Sequence, residues 1–136
     1  MFLKSMWRCM NHEIEVMLPA GKGVIINNAS IAGLLGSPNP AYTAMKHGVT
    51  GLAKSAARQY AGEGLRFNAV CPGWVDTEMT ESWKTDPEQS KFMLSRQSVK
   101  RPGESQEVAS LVKWLCSNGA AFIDGAVWPI DGGYTA

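Results

Sequence analysis

Tyr42 and Lys46 stand four residues apart in the run Tyr-Thr-Ala-Met-Lys, with Ser30 upstream of both. On a helix, side chains at i and i+4 project from one face, so the phenol and the ammonium would lie together. An ammonium beside a phenol favours the phenolate and lowers the tyrosine pKa from its reference of about 10. A tyrosine in that setting can exchange a proton near neutral pH. Tyr-x-x-x-Lys pairs are also common on ordinary helix surfaces, so the elements around the pair decide what it means.

Those elements alternate. Apolar residues at Leu3, Met6, Met10, Ile14 and Met17 predict a helix over about 3–18, with Lys4, Arg8, His12 and Glu15 outward. Pro19 and the Ala-Gly-Lys-Gly run end it. The segment 23–29 is apolar on successive positions and reads as a parallel strand covered on both faces. Ser30 follows at its end, where catalytic groups gather in open α/β sheets. A Gly/Ser/Asn/Pro loop leads to Asn39-Pro40, a helix start with Asn as N-cap and Pro at the first helical position. The helix is expected over 41–61. Tyr42, Lys46, Val49 and Ala53 share one face, and Thr43, His47, Thr50, Lys54 and Arg58 form a polar stripe. Ala44, Gly48, Gly51 and Ser55 form a third stripe of small residues. Glycine costs a helix about 1 kcal/mol relative to alanine, so this stripe implies close approach of another helix or of backbone.

Gly62-Glu-Gly64 stops the helix, and 65–71 reads as the next strand, ended by a Pro72-Gly73 turn. Residues 77–100 are polar, with scattered Met79, Trp83, Phe92 and Met93, and are expected to form short helices in a mobile excursion that acts as a lid. Ser105 is the expected cap of a helix whose buried stripe is Val108, Leu111, Val112 and Leu115; Asn118-Gly119 closes it, and 126–130 is a last strand. This order of helices and strands implies an α/β, doubly wound parallel sheet.

With 136 residues and a net charge of +1, the chain fits one domain and carries neither a nucleic-acid footprint nor a polybasic membrane patch. No stretch approaches the ~18–20 apolar residues of a membrane span, and the N-terminus lacks a secretory pattern. Cys9, Cys71 and Cys116 are odd in number and widely spaced, and are expected to be reduced, buried fillers of a cytoplasmic protein. His12 has no partner at metal-ligand spacing, so no metal site is expected; His47 reads as a solvated or inter-subunit residue.

Four motifs follow one another: Ser30-Ile-Ala-Gly33, Tyr42-x-x-x-Lys46, Asn68-Ala-Val-Cys-Pro-Gly73-Trp-Val-Asp-Thr77 and Asp131-Gly-Gly-Tyr134. Together they resemble the second half of the short-chain dehydrogenase/reductase family, a resemblance that runs from Leu3 to Ala136. It implies the last three strands of a Rossmann-type sheet and reversible alcohol–carbonyl interconversion with NAD or NADP. It further implies that Tyr42 exchanges the proton with the substrate oxygen, and that Lys46 lowers the tyrosine pKa and binds the nicotinamide ribose. Ser30 would hold the substrate oxygen. Pro72, Gly73, Val75 and Thr77 would line the nicotinamide end, the Val75 backbone and Thr77 side chain meeting the carboxamide. Trp74 would border a small alcohol or ketone.

The sequence departs from the family at two points. No Thr-Gly-x-x-x-Gly-x-Gly turn, the pyrophosphate cradle, occurs in these residues. The resemblance therefore places residues 1–136 as the C-terminal catalytic part, beginning at the family's fifth helix-strand unit. At the position of the family's relay asparagine stands Phe2, which has no polar group to hold a relay water. The alternative expectation is an inactive, truncated fragment that associates with full-length relatives, or with copies of itself, through the Tyr42 helix.

Overall fold

A computed structural model describes residues 2–136. Three parallel strands, β1 (Gly23–Asn28), β2 (Leu65–Pro72) and β3 (Val127–Ile130), form a sheet in the order β1-β2-β3. Gly23 pairs with Leu65 and Asn28 with Val70; Ala69 pairs with Val127 and Pro72 with Ile130. Helices α1 (Phe2–Met17), α2 (Pro40–Gln59), α3 (Glu81–Thr85), α4 (Pro87–Arg96) and α5 (Ser105–Leu115) complete the fold. Among the described residues no helix is long and apolar enough to cross a membrane.

Two apolar layers hold the sheet. On one face Met10 and Ile14 of α1 and Ala56 of α2 pack against Ile25, Leu65 and Phe67. On the other, Leu115 of α5 meets Val70 and Ala120, with Ile26, Leu111, Val112 and Trp128 beside them. The central strand β2 is therefore buried on both faces. The edge strand β1 is not: Ile25 and Asn27 are buried, whereas Val24 and Ile26 are only partly covered. The expectation of double coverage fits β2 better than β1, because α5 lies over the middle of the sheet.

Local chemistry explains where the elements begin and end. The Asn39 side chain accepts the Tyr42 N–H at 3.0 Å and Pro40 occupies the first turn, as expected for α2. Helix α1 stops at Met17, and a 3-10 turn that contains Pro19 closes on Gly21. Helix α5 differs from expectation. Its cap is Glu104, whose N–H donates to the Glu107 carboxylate at 2.8 Å, and Ser105 is already the first helical residue. Glu107 is further held by Arg101 through two charge-assisted bonds of 2.7 and 2.8 Å, so the carboxylate anchors the turn more firmly than a serine hydroxyl would.

Other expectations change in the folded chain. Thr50, placed in the polar stripe of α2, is buried, its hydroxyl satisfied by the His47 carbonyl at 2.9 Å. Leu3 of α1 seats against Gly48, which accounts for one glycine of the small-residue stripe; Gly51 faces open space. Only Cys71 of the three cysteines is buried; Cys9 is exposed on α1 and Cys116 is exposed in the turn that ends α5.

Candidate active site

The carboxyl ends of the three strands bring the candidate residues to one edge. Ser30 lies just past β1, Pro72 ends β2, and Asp131 follows β3. Parallel sheets present their loops together there, which is where ligands sit in open α/β folds.

Beneath that edge lies Lys46, 7 % exposed, while Tyr42 one turn earlier is 37 % exposed. The lysine Nζ donates to the Asn28 carbonyl at 3.3 Å and stands 5.6 Å from the centre of the Tyr42 ring. It also stands 5.2 Å from the centre of the Phe2 ring. Burial pushes the Lys46 pKa below its ordinary value, and the nearby Cys71 opposes that shift. Cys71 in turn is pushed up by burial, against a hydrogen bond from the Ser30 backbone and the charge of Lys46. Cys71 packs with Ala29, just past β1, and with Val49 of α2.

Ser30 caps a 3-10 turn over Ile31–Gly33, its Oγ accepting the Ala32 N–H at 3.2 Å. One lone pair is used in this way, and the hydroxyl proton remains to donate. The turn lies directly on α2: a Cβ at Gly33 would fall 2.7 Å from the Lys46 carbonyl oxygen, so no larger residue fits without moving the helix. Ser30, Tyr42 and Lys46 are therefore positioned by one packed unit. His47 is exposed and bonds the Thr43 carbonyl at 3.0 Å within its own helix.

At the end of β2 the Gly73 N–H donates to the Ile130 carbonyl at 3.0 Å. Val75 forms an isolated bridge with Gly103, and its carbonyl accepts Thr80 Oγ1 at 2.6 Å. Thr77 caps the following 3-10 turn, its hydroxyl 3.3 Å from that of Thr80. Trp74 is buried, its ring 6.4 Å from that of Trp83 in the excursion. Within the excursion Met93 is buried, but Met79 and Phe92 are exposed. Trp83 and Met93 accordingly fold the segment onto the domain.

Two participants carried no readable signal. Asn28 contributes a backbone carbonyl, which any residue has, and Cys71 looks in sequence like ordinary strand filling. The position of Asn28 at the strand end, two residues before Ser30, was the sole available hint.

A family model described as enoyl-(acyl carrier protein) reductase matches residues 1–135. The cyclohexanol dehydrogenase of Acinetobacter sp. (strain SE19) is 41 % identical over 135 residues, covering 98 % of this chain and 52 % of that protein. A 3-oxoacyl-acyl-carrier-protein reductase of Staphylococcus epidermidis is 39 % identical over 132 residues, covering 96 % and 53 %. Among solved structures, 4-hydroxyisoleucine dehydrogenase complexed with NADH superposes with a TM-score of 0.91 at 33 % identity, covering 95 % of this chain and 54 % of that one. A gluconate 5-dehydrogenase from Burkholderia cenocepacia J2315 in complex with NADP and tartrate superposes at 0.85 and 30 % identity, covering 89 % and 48 %. This chain belongs to the short-chain dehydrogenase/reductase family, and it spans about half the length of the relatives it matches.

Proposed function

We propose that residues 1–136 are the C-terminal catalytic part of an NAD(P)-dependent oxidoreductase that interconverts an alcohol and a carbonyl, with 77–100 as its lid. The observation that carries this reading is the Lys46 ammonium, held by the Asn28 carbonyl and lying 5.6 Å from the Tyr42 ring beside the Ser30 turn.

In this reading the Ser30 hydroxyl donates to the substrate oxygen, and Tyr42 takes the alcohol proton or returns it to the carbonyl. Lys46 places a positive charge 5.6 Å from the centre of the Tyr42 ring and binds the nicotinamide ribose. Trp74 and Trp83 form the apolar wall behind the substrate. The dinucleotide, when bound, supplies or accepts the hydride.

The β2 end suits a nicotinamide carboxamide. Thr80 takes the Val75 carbonyl, while among the described residues the Val75 N–H has no partner. That N–H and the Thr77 hydroxyl form a donor and acceptor pair, flanked by Pro72 and Gly73. The pyrophosphate and adenosine contacts are assigned to parts of the family fold outside these residues. Free cysteines support a reducing, cytoplasmic setting.

The test is oxidation of cyclohexanol followed by nicotinamide absorbance, with the chain alone and with the N-terminal half of a relative supplied in trans. Activity that depends on both halves and falls at least ~100-fold in Tyr42→Phe supports the reading. Undiminished activity in Tyr42→Phe overturns it.

A second reading is favoured by the exposed side of α2. A groove of about 460 Å³ between α1 and α2 is lined by Trp7, Leu18, Leu52 and Ser55, and Gly51 has open space beside it. Through this face the chain associates with a second copy or with a full-length relative. A monodisperse monomer that captures no full-length relative argues against it.

A further inference from the structure

We propose that Phe2 is a positioning residue: its ring, together with that of Tyr42, holds the buried Lys46 ammonium in its charged form. A lysine that is 7 % exposed must replace the water around three N–H donors. One hydrogen bond in the structure does so, to the Asn28 carbonyl at 3.3 Å. The rest of the compensation comes from two aromatic rings, centred 5.2 Å (Phe2) and 5.6 Å (Tyr42) from Nζ, both within cation–π range.

The groups facing Nζ come from every element packed around it. Helix α1 presents the Phe2 ring, β1 the Asn28 carbonyl, β2 the Cys71 thiol, and α2 Tyr42 itself. None of these carries a formal negative charge while the thiol and phenol are protonated. The quadrupoles of the two rings then add to the Asn28 carbonyl in compensating the cation. Phe2 is 53 % exposed, yet it points a face at the most deeply set charge of the site.

The inference concerns the placement and charge of Lys46, and its bearing on catalysis rests on the Tyr42–Lys46 reading above. The experiment therefore uses a readout independent of turnover. Lysine labelled with ¹³C at Cε is titrated by NMR in the full chain, the Lys46 signal assigned through Lys46→Arg. Phe2→Leu is expected to lower the Lys46 pKa by about 0.5–1 unit, since removing the ring takes away stabilisation of the cation only. Phe2→Trp is expected to restore or exceed the original value, with a single cooperative unfolding transition kept across the set and the Leu variant melting lower at neutral pH, as the lost stabilisation of the cation requires. An unchanged Lys46 pKa in Phe2→Leu overturns the proposal, as does an equal shift in Leu and Trp. Should Phe2→Leu fail to fold, Phe2→Met and Phe2→Tyr provide the same contrast. A ring-dependent shift in a chain that shows no dehydrogenase activity upholds the placement and counts only against the catalytic reading.

Discussion

Gly73 and Asp131 meet backbone to backbone: a Cβ on the glycine would lie 2.8 Å from both Cα and Cβ of the aspartate. The contact holds the β2 exit against the β3 exit. Asp131 is itself fixed, its carboxylate accepting the Gly133 N–H at 2.9 Å, the Thr135 N–H at 3.0 Å and the Thr135 hydroxyl at 2.6 Å. Neither side can retreat cheaply. Gly73→Ala is therefore expected to destabilise the fold by about 1–3 kcal/mol, the usual cost of overpacking. Urea denaturation checks this, and a midpoint equal to that of the original chain would show that the two exits can separate.

The cysteines should divide into two kinds. Cys9 and Cys116 are exposed, whereas Cys71 is buried and its thiol is pushed up by that burial. The reactive species is the thiolate, so Cys71 should resist a thiol-specific reagent near neutral pH. Two equivalents are expected to react with native protein and the third only after denaturant is added. Three equivalents at one rate would contradict the burial of Cys71.

The Arg101–Glu107 pair gives an acid limb to stability. Arg101 and then the Glu104 N–H lower the Glu107 pKa from 4.5 to about 2. A carboxylate whose folded pKa is depressed stabilises the fold fully above its unfolded value. That contribution is lost as pH falls from about 4.5 towards 2. Both partners are about half exposed, so salt screens the effect. Glu107→Gln should narrow the difference between denaturation midpoints at pH 6 and pH 3, and an identical pH response would exclude this role.

Cofactor binding by these residues alone should be weak. The nicotinamide-end groups, Val75 N–H and Thr77, are present, but no glycine-rich phosphate turn is found in the sequence. Fluorescence titration with NADH or NADPH is expected to show no saturation in the low-micromolar range. Tight binding there would mean that the catalytic edge holds the dinucleotide by itself.

Much of this was legible because it is encoded locally. Asn39-Pro40 sets the start of α2, and the i, i+4 spacing puts Tyr42 and Lys46 on one face whatever surrounds them. The stripe Leu3, Met6, Met10, Ile14 and Met17 likewise fixes the inner face of α1. What stayed hidden depends on distant partners. The role of Glu104 and Glu107 at α5 needs Arg101 folded back onto the helix, and Thr50 is buried only because the Ser30 turn packs over α2. The contact of Phe2 with Lys46 spans forty-four positions of sequence; the resemblance put Phe2 at the relay position, but not with its ring against the ammonium.

The carbonyl that receives Lys46 belongs to Asn28, the final residue of β1, and β1 runs along the rim of the sheet. The Asn28 carbonyl is the acceptor that holds Nζ, so any opening of the last β1 residues releases the lysine from its anchor. Amide exchange at Ala29, whose N–H bonds the Val70 carbonyl at 2.8 Å, measures how often the lysine loses its anchor.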